Sequence, residues 1–433
     1  MSTQTDLKST DNLAANPIED DRLLKLPAWK IFYSMFILYF LYFFDYAARL
    51  VISPMFPYLK KDLGLTDPQL GMLTSIVLAG VCVLSMPLAA LIDRWQRAKT
   101  LSIVAVLWSA ASVGTGLSTT FGQIFASRAA VGVGEAGFSS GGAALISAMF
   151  TRTKRAMMIG VWNTSMTAGS AFGLMAGGII ATKYGWQAAF YAVGIPGIIL
   201  GIMAWFMPDY ENIPREKDAA ALSFWGTFKG VLTNKSLVYI YIAGGIGAVL
   251  TQTQLYWTSS LFVRFFHMTP AEAGTINGYM MFVGFICYPL SGWIADRWSE
   301  RDVRGKMYYC ALVQTLACVT CIAGVMMSSV AMLTVALFLS FSLPSAQVAF
   351  TQEIVPSFNR ATAYGGYVLT LYILGGLWGP MLTGYVSGAS NLQNGFYVAA
   401  GVSLVSVIFF LLGSRHVIAD FKASRAKEKE MGL

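Results

Sequence analysis

Four ionisable side chains stand inside long apolar runs: Asp45 and Arg49, four residues apart, and Arg128 and Glu135, seven apart. Each spacing places its pair on one face of a helix. A charge in hydrocarbon is costly, so such groups face a partner or a water-filled path. A carboxylic acid there is a candidate proton carrier. An arginine, protonated even when buried, is a candidate receptor for an anion through its two-pronged fork. Glu135 and Asp45 are therefore the expected proton-coupling residues, and Arg128 and Arg49 the expected anion contacts. Asp45 can serve Arg49 locally, whereas Glu135 lies about 10.5 Å along the axis from Arg128, so Arg128 is expected to be the main receptor. The structural alternative makes Glu135 a partner of Arg128 or of the backbone, and Asp45 simply the partner of Arg49.

The second half of the chain has almost no deep charge but carries Gln252, Gln254, Tyr256, Asn277, Ser342, Gln347, Tyr372 and Trp378 in its apolar runs. With Tyr46 and Asn163 from the first half, these are the candidate substrate contacts. Hydrogen-bonding glue between helices is an equally good reading of the Gln and Tyr residues. No nucleophile–base pair can be assembled, which argues against an enzyme. Cys82, Cys287, Cys310, Cys318 and Cys321 all fall in apolar runs and read as packing thiols. His267 and His416 are far apart, so neither a metal nor any other cofactor is expected.

The elements that must hold these groups follow from composition. Of 433 residues, 56% are hydrophobic and only 12% charged, about half the charge of a soluble domain. Apolar runs long enough to cross a bilayer recur near 31–53, 68–91, 100–118, 121–149, 156–181, 187–207, 237–262, 271–294, 307–328, 330–352, 362–387 and 395–414. No alternation suited to a membrane barrel is visible, which leaves helices as the way to satisfy the backbone in lipid. An all-α polytopic membrane protein of twelve transmembrane helices is expected. Of 30 lysines and arginines, 24 fall on the side shared by the two termini, whereas only Lys60, Lys61, Lys183 and Arg264 fall on the other. That asymmetry predicts cytoplasmic termini and makes the net charge of +8 an orientation signal rather than a nucleic-acid footprint. The first 26 residues show no signal-peptide pattern.

The longest polar interior stretch follows six spans and precedes six more. The expected organisation is a tail over 1–26, a six-helix bundle over 27–208, a linker over 209–235, a second bundle over 236–414 and a tail over 415–433. A slide of 203 positions lays Thr66 on Thr269, Gly71 on Gly274 and Asp93-Arg94-Trp95 on Asp296-Arg297-Trp298; a slide of 205 lays Arg155-Ala156 on Arg360-Ala361 and Gly160 on Gly365. Internal duplication accounts for both. Asp93 ends the second helix where the eleventh begins after Pro356, and Asp296 ends the eighth near Arg155 at the start of the fifth. A carboxylate favours a helix N-terminus. With Arg94, Arg97, Arg297 and Arg360, these residues form an expected gate latch that engages when the cytoplasmic side is shut.

The run Gly292-Trp293-Ile294-Ala295-Asp296-Arg297, with a first copy that has Ala89 and Gln96 in place of two glycines, resembles the signature of the major facilitator superfamily. The resemblance covers nearly the whole chain and implies two pseudo-symmetric six-helix bundles with the substrate site between them near the midplane. It also implies that helices one, four, seven and ten line that site. Glycines 160, 169, 173, 177 and 178 resemble a drug-antiporter pattern, but Leu174 stands in place of its proline, and close helix packing is the simpler reading. Arg128-x-x-x-Gly132-Val133-Gly134-Glu135-Ala136, Tyr46-x-x-Arg49 and Val355-Pro356-x-x-x-Arg360-Ala361 with Gly379-Pro380 are similar to spinster-like proteins and anion:cation symporters. Those families place an aspartate before the helix-one arginine; here Ala48 does so, and Asp45 is the candidate replacement. The implied function is proton-coupled transport of a small organic anion by a monomer in a bacterial inner membrane. Export of an amphipathic lipid or drug is the alternative. A non-transporting membrane sensor is a third, disfavoured because the linker and tail leave no room for an output domain.

Overall fold

The computed structural model describes residues 24–209, 232–356 and 359–430; within its helices, some side chains, those of Asp93, Arg94 and Arg152 among them, lie outside the described set. The described residues are helical without strands, and eleven helices are long and apolar enough to cross a membrane. The chain is an all-α polytopic membrane protein. Its first span is Ala28–Leu50, followed by Asp67–Arg94, Arg97–Leu117, Arg152–Tyr184 and Trp186–Ala204 in the N-terminal half. The fourth expected span occurs between the third and fifth as two shorter helices, Phe121–Glu135 and Phe138–Met149. The interruption falls where Gly132, Gly134 and Gly137 cluster, residues of poor helix propensity. In the C-terminal half the seventh span is Lys235–Phe265, the eighth Pro270–Phe282 continued by Gly284–Arg301, the ninth Gly305–Met326, the tenth Val330–Glu353 and the twelfth Leu392–Ser414. The eleventh is Arg360–Leu371 and Trp378–Ala389, joined by a π-helical turn at Tyr372–Gly376. A last helix, Val417–Glu430, follows.

The duplication is visible in the caps. Thr66 with Gln69 and Thr269 with Glu272 form capping boxes at the starts of the second and eighth spans, each satisfying backbone donors that a helix start leaves orphaned. Pro68 and Pro270 stand in the first turn of these helices, where a missing N–H costs nothing.

The halves meet tightly on the face opposite the termini. There Trp257 Nε1 donates to the Pro380 carbonyl within the C-terminal half, while Ser53 Oγ of the N-terminal half donates to the Tyr256 carbonyl of the other at 2.8 Å. Ser75 Oγ likewise reaches the Leu377 carbonyl. Arg264 grips the buried Asp67 through both guanidinium nitrogens, at 2.6 and 2.8 Å, and Ser387 and Lys60 bind the same carboxylate. Glycines make the seam possible: a Cβ on Gly71 would lie 2.5 Å from the Pro380 oxygen, one on Gly178 2.5 Å from the Pro270 oxygen, and one on Gly274 2.5 Å from the Leu174 oxygen. One large core joins both halves at this end, with Leu50, Phe56 and Leu174 packed among Trp257, Phe262 and Ala273. Separate cores serve each half elsewhere.

On the face that bears the termini the same helices part. A Cβ on Gly160, Gly292 or Gly365, the glycines in the corresponding parts of the fifth, eighth and eleventh spans, would meet nothing within 4 Å. The molecule is therefore closed on one face and open on the other.

Candidate functional site

Between the halves lies a cavity of about 620 Å³. Its charged pole comes from the first and fourth spans. Asp45, Tyr46 and Arg49 occupy the last turns of the first helix, and Glu135 ends the helix Phe121–Glu135, so the break after Glu135 sets its carboxylate beside the first span. Arg49 Nη2 lies 2.9 Å from Glu135 Oε2 and 3.7 Å from Asp45 Oδ1. The Arg49 guanidinium also sits over the Tyr46 ring, 4.6 Å from its centre, a cation–π contact that gains from exclusion of water. The approach of Arg49 to Glu135 is that of a close ion pair and not of an aligned hydrogen bond. Two acids thus share one cation, and they lie near enough to repel each other when both are ionised.

Arg128 departs from expectation. It is 0% exposed and does not line the cavity. Its Nη1 donates to the Ala48 carbonyl at 2.9 Å and its Nη2 to the Arg49 carbonyl at 3.3 Å. A helix end leaves its last carbonyls without intrahelical partners, and the guanidinium fork takes two of them at the end of the first span. Glu135, whose structural alternative was a pairing with Arg128 or the backbone, pairs with Arg49. Arg128 is thus a clamp on the element that carries Arg49, and the guanidinium that lines the cavity is that of Arg49.

Of the candidate contacts in the C-terminal half, Gln252, Tyr256, Gln347 and Tyr372 line the cavity. Tyr372 begins the π-helical turn, an irregularity frequent at functional sites. Gln254 and Asn277 do not line it. Each is buried against its own half, Gln254 Oε1 accepting from Ser340 Oγ at 2.8 Å and Asn277 Nδ2 donating to Ser259 Oγ at 3.0 Å; these two are interhelical glue. Asn163 and Trp378 are also absent from the wall, Asn163 being exposed and Trp378 52% exposed. Wall residues that the sequence did not single out include Tyr42, Tyr288, Gln314, Tyr364 and Tyr367. The only signal for them was polarity within an apolar span.

The residues expected to form a gate latch lie at the open face. The side chains of Asp93 and Arg94 lie outside the described set. Asp296 pairs with Lys306 of its own half at 2.8 Å, and Lys306 also binds Glu353, whereas the expectation from the sequence places Asp296 near Arg155. Arg155 donates to the Phe150 carbonyl at 3.4 Å, Arg297 sits over Trp293, Arg97 is buried and Arg360 exposed.

Comparison with known proteins agrees with this architecture. The family model of the Major Facilitator Superfamily matches residues 35–373 and 266–432. The hexuronate transporter of Bacillus subtilis is 24% identical over 394 residues, covering 85% of this chain and 92% of that one. A probable sphingolipid transporter, spinster homolog 2 of Arabidopsis thaliana, is 24% identical over 282 residues, 61% of this chain and 58% of its own length. Among solved structures, a bacterial homolog of the human lysosomal transporter Spinster, captured inward-facing and unoccupied, superposes with a TM-score of 0.81 at 19% identity, covering 91% of this chain and 99% of that one.

Proposed function

Because the chain belongs to the Major Facilitator Superfamily, we propose that this transporter carries a small organic anion together with a proton, by alternating access around the cavity between its halves. The observation that supports this reading is one guanidinium shared by two acids at the cavity wall. While Glu135 is ionised it occupies Arg49. Once Glu135 takes up a proton, the Arg49 fork is released and receives the carboxylate of an incoming anion. Proton and anion therefore load together. Asp45 keeps Arg49 partly neutralised in either state and supplies the carboxylate that Ala48 does not. The hexuronate-transporting relative supports an anionic cargo. The charge asymmetry of the sequence supports a bacterial inner-membrane protein with cytoplasmic termini, so that the open mouth faces the cytoplasm; a monomer holds the whole site.

A second reading, export of an amphipathic lipid or drug, is favoured by the aromatic and aliphatic part of the wall and by the spinster relative. Reconstituted protein separates the two. In the anion reading, Glu135→Gln abolishes uptake driven by a pH gradient but retains exchange of anion between equal pools, since a neutral amide cannot cycle a proton. Proton-driven uptake that survives this change at full rate overturns the assignment of Glu135.

A further inference from the structure

The wall of the cavity is asymmetric in a way that bears on what kind of anion it holds. Among its described lining residues the charged ones are Asp45, Arg49 and Glu135, all on the N-terminal half. The opposite wall offers no cation. A substrate with two separated negative charges would place the second against tyrosines, amides and aliphatic side chains, an uncompensated charge in a poorly hydrated site.

Some of the hydrogen-bonding groups of the opposite wall are already engaged. Gln347 Oε1 accepts the hydroxyl proton of Tyr367, and Gln314 Nε2 is turned toward Cys318 Sγ at 3.4 Å. Ser340 Oγ is committed to Gln254. The wall also offers ring surface. Tyr288 and Phe341 lie nearly parallel, 18° apart, with centres separated by 6.3 Å. Tyr364 and Tyr372 lie on the same half, and Tyr46 faces the cavity beside Arg49. Flat rings gain from offset or edge contacts of this kind.

Resting on the anion reading above, we infer that the cargo is a monoanionic aromatic carboxylic acid, whose carboxylate takes the Arg49 fork while its ring lies against the tyrosine wall formed by Tyr288, Phe341 and Tyr372. The negative charge and the ring are then read by opposite halves, so that full binding needs both halves around one small molecule.

The test is binding to purified full-length protein at one acidic pH, with phenylacetate, glucuronate and glucarate as probes: an aromatic monoanion, a polyhydroxy monoanion and a polyhydroxy dianion. Phenylacetate is expected to bind tightest. Tyr288→Leu and Tyr372→Leu are each expected to weaken it by roughly two- to tenfold, while Tyr288→Phe and Tyr372→Phe, which keep the rings, retain it. Thermal unfolding of the leucine variants at the wild-type temperature shows that lost affinity does not come from misfolding. Glucuronate or glucarate binding as tightly as phenylacetate, in an Arg49-dependent manner, overturns the aromatic inference and leaves the anion reading standing. Binding of phenylacetate that is indifferent to both leucine variants overturns the inference as well. If none of the three acids binds, and a neutral or cationic amphiphile binds equally to wild type and Arg49→Lys, both readings fail.

Discussion

The guanidinium of Arg128 ends on the backbone carbonyl of Arg49, 3.3 Å away, so the two deep arginines act in series: one holds the helix end, and the helix end presents the other. Arg128 reaches Ala48 in the same way, and no solvent touches it. Loss of its side chain leaves two carbonyls at the end of the first span unsatisfied, at roughly 1–3 kcal/mol for each buried group. Arg128→Met is therefore expected to lower the unfolding temperature in detergent and to weaken anion binding. Arg128→Lys, which keeps the charge but not the fork, should fall between. Arg49→Lys should abolish anion binding with little loss of thermal stability. Equal thermal stability in wild type and Arg128→Met would remove the clamp role.

The closed face is held by missing side chains on both seams and, on one of them, by charge as well. Asp67 takes both nitrogens of Arg264, joining the second span to the seventh, whereas its counterpart at the start of the eighth span is Pro270 and offers no acid. Asp67→Asn should shift the population toward a state open on this face. A change of about 1.4 kcal/mol, modest for a half-broken buried ion pair, moves that equilibrium tenfold. Spin-label distances across this mouth, between labels outside the network, measure the shift; identical distance distributions in wild type and mutant would show that the glycine seam alone keeps the face shut.

Glycine substitutions should act oppositely on the two faces. Alanine at Gly71 places its Cβ 2.5 Å from the Pro380 oxygen, so the second and eleventh spans must separate, whereas alanine at Gly160 meets nothing in the present state. Gly71→Ala is expected to raise labelling of an engineered cysteine in the cavity by a reagent applied at the closed face. Gly160→Ala should leave that labelling unchanged or reduce it, by hindering closure of the other face. If Gly71→Ala does not alter accessibility, the seam is more pliable than its backbone contacts indicate.

What the sequence disclosed about the site follows from what lipid penalises. Asp45, Arg49 and Glu135 were visible because charge inside an apolar span needs a reason, and all three reach the cavity. Which way each side chain faces was much less visible. In a soluble helix the apolar stripe marks the buried face, but in a membrane span the lipid face and the packed face are both apolar, so periodicity gives little rotation. Hence Arg128, Gln254 and Asn277 could not be told from wall residues, and Tyr288 and Tyr364 went unnoticed. The break after Glu135 was hidden for a related reason: Ala136 and Gly137 are apolar enough to extend an uninterrupted run. The twelve spans and their pseudo-repeat were readable because length, charge asymmetry and the Thr66 and Thr269 caps are properties of the chain itself.

The pH dependence of binding tests the exchange of partners at Arg49. Glu135 holds Arg49 at 2.9 Å in the empty cavity, and an incoming carboxylate competes for that fork. If anion binding requires Glu135 to take up one proton, linkage sets the sign: the bound state holds the extra proton, so affinity rises as pH falls. The slope reaches tenfold per pH unit, about 1.4 kcal/mol, where Glu135 is ionised in the empty protein. It flattens at acidic pH once Glu135 is protonated without ligand, and reverses where the acid itself becomes protonated and loses its charge. Glu135→Gln should show no slope across the range in which the acid stays ionised, with affinity fixed near the acidic limit of wild type, because the amide never closes on Arg49 as an ion pair. Asp45→Asn should keep the slope. Titration calorimetry in two buffers of different ionisation enthalpy counts the proton directly: one taken up per anion in wild type and Asp45→Asn, none in Glu135→Gln. Uptake of a proton that persists in Glu135→Gln and vanishes in Asp45→Asn would move the coupling site one helix away, to the acid 3.7 Å from the same guanidinium.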